Sequence, residues 1–173
     1  MSYFEEHYPD FKYPLQSATN PGFRLAQLGA IHAAASHFVT RSDPGIITMP
    51  TGSGKTAVLI STAYILRASR VLIITPSRLV REQIAEEVRT LATLRLAGAL
   101  GDEIPAPRVF SVKKRITSLT EWESLKEYDV VVGTVQSISP EYATIPEPPP
   151  DLFDLVLVDE RSEERRVGKE CRS

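Results

Sequence analysis

"MPTGSGKT" (Met49–Thr56) decides how this chain folds. It sits between a short apolar run, "GIITMP" (Gly45–Pro50), and a segment apolar on most sides, "AVLISTAYILRAS" (Ala57–Ser69). A buried strand, a glycine turn and a helix, in that order, are the context a phosphate-binding loop requires. The strict pattern G-x-x-x-x-G-K-[ST] wants glycine where this chain has Met49, and the rest of it is intact. Gly52 and Gly54 let the backbone curl so that successive N–H groups across Thr51, Ser53 and their neighbours face phosphate oxygens, and the next helix adds its positive N-terminal end. Lys55 then reaches the β- and γ-phosphates, and Thr56 ligates Mg²⁺. The plain alternative is a Gly-Ser turn with a solvated lysine; the flanking elements favour ATP.

Outward from that loop, strands alternate with helices. "FRLAQLGAIHAAASHF" (Phe23–Phe38) has helical spacing, after a polar, aromatic-spotted leader over residues 1–20. "RVLIITP" (Arg70–Pro76) is continuously apolar, as a strand covered on both faces must be. "SRLVREQIAEEVRTLATLRL" (Ser77–Leu96) is predicted to be one amphipathic helix with Ser77 as its N-cap. "RVFSV" and "YDVVVGT" (Tyr128–Thr134) are strands, "IPEPPP" (Ile145–Pro150) is a rigid connector, and "FDLVLVDE" supplies a last buried strand. The pattern implies an α/β domain with a mainly parallel sheet.

That last strand ends in Asp159 and Glu160. Ligands of open α/β sheets bind beyond the carboxyl ends of the strands. Asp159 is therefore the candidate to hold Mg²⁺, through water, and Glu160 to act as general base on the attacking water. An acidic pair after a strand is more often solvated; the phosphate loop reverses that balance. His32 and His37 lack neighbouring ligand residues, Trp122 reads as packing, and Lys113, Lys114 and Arg115 read either as a basic track or as a solvated face.

A net charge of -2 excludes a bulk basic field, so any nucleic acid must be gripped by a local patch. No apolar run is long enough to span a membrane, and the acidic N-terminus does not resemble a signal peptide, which points to the cytoplasm. The single cysteine, Cys171, excludes an internal disulfide.

"PTGSGKT", "TPSRLVREQ", "VVVGTVQS" and "LVLVDE" together resemble motifs I, Ia, Ib/Ic and II of superfamily 2 helicases and translocases, and "FRLAQ" resembles their Q motif. Within that superfamily the series is similar to the DEAD/DEAH group that holds type III restriction subunits; the "PTREL" and "TPGR" of the RNA-remodelling branch are missing. The resemblance implies a RecA-like three-layer P-loop NTPase domain over residues 21–160. It places Gln27 on the adenine edge. It puts Thr75, Ser77 and Arg78, then Thr134 and Gln136, on the phosphates of a tracked strand, DNA in preference to RNA. It also implies restriction-modification or repair subunits as partners. Against it stand a helix cap at Ser77 and a strand end at Thr134. An RNA helicase, a nucleotide-binding module without turnover and a phosphate-loop kinase remain as alternatives.

"RSEERRVGKECRS" (161–173) resembles no part of that family and looks like the translation of a sequencing adapter. On that reading motif II is cut short, and motif III and the second RecA-like domain are missing. In the family it resembles, the motif III strand lies between those of motifs I and II, so the resemblance implies an incomplete sheet. In that family the second domain carries the arginine finger, worth about 10³–10⁵ in rate, so the fragment alone is expected to hydrolyse ATP barely or not at all.

Overall fold

The computed structural model describes residues 1–140 and 145–159. Strands β1 (Val71–Thr75), β2 (Val109–Ser111), β3 (Val130–Thr134) and β4 (Leu155–Val158) form one parallel sheet in the order β2-β3-β1-β4. Around it lie α1 (Tyr3–His7), α2 (Leu25–Thr40), α3 (Lys55–Ile65), α4 (Arg78–Thr90), α5 (Ala92–Leu96), α6 (Leu119–Ser124) and α7 (Val135–Ile138). The expected α/β architecture is thus present.

Alternation along the strands sorts the sheet into two cores. Val71 stands opposite both Val130 and Leu155 in the register. With Ile73 and Val132 they face α3 and α4, packing on Ile60, Ala63, Ile84 and Val88. Leu72 and Val131 face the other way, onto Trp122, Leu125, Ile138, Ile145 and Leu152. Both central strands therefore bury apolar side chains on both faces, which is why they read as continuous runs. Trp122 is fully buried, and its Nε1 donates to Pro146 O at 2.8 Å, so this side chain anchors the proline connector. The leader enters the first core as well: Phe4 and Phe11 are buried there, with Phe11 stacked on Tyr64 at 5.0 Å.

At the amino end of β1, Arg70 donates to three carbonyls: Nε to Tyr128, Nη1 to Leu152 and Nη2 to Lys126. Asp154 accepts from the N–H groups of Ser69 and Arg70. Charged groups so close to the sheet stay there because they find hydrogen-bond partners in the backbone.

The structure departs from expectation in three places. Gly45–Pro50 is not a strand: it joins no ladder, Ile46 is 95% exposed, and within this stretch Met49 alone is buried. A strand needs a paired neighbour, and among the described residues no strand lies beside this one. β4 is the sheet's edge instead, pairing with β1 on one side, and it is buried on one face only. Finally, Ser77–Leu96 is two helices. Leu91 takes φ +54° between them and is fully buried; its N–H closes α4 on Glu87 O, while the Glu87 carboxylate accepts from Thr93 N at the start of α5. Burial of Leu91 outweighs the cost of a left-handed residue, about 1–2 kcal/mol, which no residue pattern announced. Glu160 and residues 161–173 lie outside the described residues.

Candidate functional site

The turn at Pro50–Gly54 is closed locally, with Ser53 donating to Pro50 O through both its N–H, at 3.3 Å, and its hydroxyl, at 2.7 Å. Gly52 at φ +76° and Gly54 at φ +83° occupy the left-handed region that L side chains avoid. Gly54 is the N-cap of α3, and no side chain among the described residues caps that helix, so its first-turn donors and positive end are of the kind that suits an anion. Lys55 and Thr56 are the first two residues of α3.

The amino end of α2 holds this loop from behind. Gln27 is buried; its Oε1 accepts from Arg24 N at 2.8 Å and its Nε2 donates to Gly54 O at 3.2 Å. Arg24 Nη1 donates to Gly52 O at 2.9 Å. Both glycine carbonyls are thereby turned toward α2. Since a trans peptide is planar, the Lys55 N–H points away from Gln27. Gln27 thus sits against the loop, with both ends of its amide engaged by backbone. Arg24 was not anticipated, and its position three residues ahead of Gln27 in "FRLAQ" is the only signal that pointed to it.

α3 returns to β1 through a short connection and so runs antiparallel to it. Its amino end, with the phosphate loop, therefore lies at the carboxyl end of the sheet. Asp159 lies at that same end: it directly follows β4, and its N–H donates to Ile74 O at 2.9 Å. The topology brings Lys55, Thr56 and Asp159 to one rim of the sheet.

Along the same rim opens a groove of about 600 Å³, lined by Arg78, Arg81, Lys113, Lys114, Arg115, Thr134, Gln136 and Ser137. It is formed where α4 leaves β1, where the chain leaves β2 and where α7 leaves β3. Arg78, Lys113, Lys114, Arg115 and Gln136 are exposed. Ser77 caps α4, its hydroxyl accepting from Val80 N at 3.3 Å. Thr134 is buried and closes a capping box with Ser137, whose Oγ donates back to Thr134 O at 2.8 Å. Thr75 is 1% exposed, and its hydroxyl is directed at Ser77 O and Gly133 O. So of the five side chains expected on a tracked strand, Arg78 and Gln136 line the groove from exposed positions, Thr134 lines it from a buried one, and Ser77 and Thr75 serve the backbone. The groove brings Lys113–Arg115 onto the same wall system. Glu82 borders it on α4: hydrogen bonding from Arg81 holds its carboxyl below the usual range, against a smaller opposing effect of desolvation.

His32 stacks on Tyr13, and His37 Nε2 lies 2.7 Å from Asp43 O. No helix among the described residues is long and apolar enough to cross a membrane. No curated protein and no solved structure matches the chain. The family described as type III restriction enzyme, res subunit, matches residues 20–162, which span the phosphate loop, the cationic groove and Asp159. With a parallel α/β sheet of the RecA-like P-loop kind beneath these sites, the chain belongs to this family of helicase-like, ATP-dependent nucleic-acid enzymes.

Proposed function

We propose that this chain is the ATP-binding part of a DNA helicase or translocase, in which Mg-ATP on the phosphate loop drives movement of a strand held in the cationic groove. One observation carries the reading: the glycine loop with its uncapped helix and the groove with its exposed cations open on the same rim of the sheet. Lys55 takes the β- and γ-phosphates, the loop Thr51–Thr56 cradles them, and Gln27 stands beside the base. Thr56 would hold Mg²⁺ directly and Asp159 through water; bound there, the ion neutralises charge on the phosphates. Glu160 is the proposed general base. Arg78, Thr134 and Gln136 contact the strand, and Thr75 and Ser77 hold the backbone that carries them. Partners are then nucleic acid and the subunits of a restriction-modification or repair assembly.

The test is binding of a fluorescent ATP analogue with and without Mg²⁺. Lys55→Ala should weaken it by roughly tenfold to a hundredfold, the value of one charge-assisted hydrogen bond. Unchanged binding in that variant would remove the nucleotide from this loop. Competition between oligo-dT and oligo-U of equal length then separates the DNA reading from the RNA helicase alternative.

A further inference from the structure

The residue that shapes the groove is one whose charge is already spent inside the protein. Arg81 is 5% exposed, although it belongs to the first turns of α4 beside the exposed Arg78. Its Nη1 donates to Val112 O at 2.7 Å. Its Nε and Nη2 both donate to Glu82 Oε1, at 3.2 and 2.6 Å, and the same oxygen accepts from Ser111 Oγ at 3.3 Å. One guanidinium therefore buckles α4 to the end of β2.

Immediately after Val112 come Lys113, Lys114 and Arg115, all exposed. That tripeptide is pinned on both sides. Before it, Val112 N donates to Val132 O at 2.8 Å and the Val112 side chain is buried; after it, Ile116 N donates to Ser137 O at 3.2 Å and Ile116 is buried. The Arg81 bond to Val112 O joins the loop to α4, the helix that bears Arg78. A long loop cation left free would lose rotamer entropy on gripping a phosphate, whereas a loop fixed in advance loses less.

We infer that Arg81 is a positioning residue that sets Lys113–Arg115 as the cationic wall of the groove, so that grip on a phosphate backbone depends on a side chain that does not touch it. The inference rests on the nucleic-acid reading of the groove. A lysine at 81 keeps the charge but has no planar fork to bond a carbonyl and a carboxylate together.

The experiment is fluorescence anisotropy of the chain with fluorescein-labelled oligo-dT across a potassium chloride series. For a single strand, the dependence of log affinity on log salt falls by about 0.7 for each phosphate that is no longer neutralised. Lys113→Ala, Lys114→Ala and Arg115→Ala together should therefore lower the slope by roughly 2. Arg81→Met and Arg81→Lys should each reproduce a large part of that fall, and neither should add to it when combined with the three alanines. Glu82→Ala, which removes the carboxylate that Arg81 and Ser111 bond, should also weaken binding even though it removes a negative charge beside the groove. The inference is overturned if Arg81→Lys binds like the unsubstituted chain, if the combined variant lowers the slope further, or if Glu82→Ala binds more tightly. If the unsubstituted chain shows no salt-dependent binding at all, the nucleic-acid reading falls, and this inference with it.

Discussion

A methyl group added at Gly54 would collide with Gln27 Nε2, on a backbone at φ +83°, whereas one added at Gly29, on the exposed face of α2, would meet nothing within 4 Å. The two substitutions should move stability in opposite directions. Gly54→Ala forces a left-handed alanine, at about 1–2 kcal/mol, and displaces the amide that holds the loop. Gly29→Ala removes helix-interior glycine and should stabilise by about 0.5–1 kcal/mol. Urea denaturation midpoints of the two variants against the parent check both signs. The glycines of the loop were legible because their spacing carries chemistry of its own. Arg24 and Arg81 were not, because their roles rest on backbone carbonyls, of Gly52 and Val112, that only the folded chain brings within reach.

At the scale of elements, α1 is fastened to α3 by two phenols. Tyr3 donates to Pro105 O at 2.7 Å, which uses its one proton, so in the 2.9 Å contact between the two hydroxyls Tyr64 is the donor. Burial pushes Tyr3 up to about 12 and Tyr64 higher still. In the unfolded chain both ionise near pH 10. Folded values raised above unfolded ones mean that the stabilisation is complete below about pH 10 and is lost as pH rises toward 12. Urea midpoints should therefore be flat on the neutral side and fall between those values, and Tyr3→Phe should shallow the fall. The central strands and the helices α2 and α3 were readable from continuous apolar runs and helical spacing. The break at Leu91 was not, since a buried leucine, not a glycine, occupies the left-handed position. Nor was the status of Gly45–Pro50, whose apolar residues qualify it as a strand while its pairing depends on a neighbour elsewhere in the chain.

For the molecule as a whole, the proposed sites share one rim. The glycine loop, Asp159 and the groove all lie at the carboxyl ends of the strands, where open α/β sheets take their ligands. The sequence left Lys113–Arg115 open between a basic track and a solvated face, because three charges in sequence look the same on any solvated surface. Among the described residues the sheet also has an uncovered flank. Among the described residues β4 pairs with β1 alone, Val156 and Val158 are 52% and 56% exposed, and Ile46 and Ile47 are exposed on the stretch that leads to the loop. Short of a covering strand, an edge of backbone donors and acceptors beside apolar side chains is a template for the strand of another molecule. Val156→Lys with Val158→Lys should raise the concentration at which light scattering first departs from that of a monomer. Left uncovered, as it is among the described residues, that edge would set how concentrated this chain can be in solution before it aggregates.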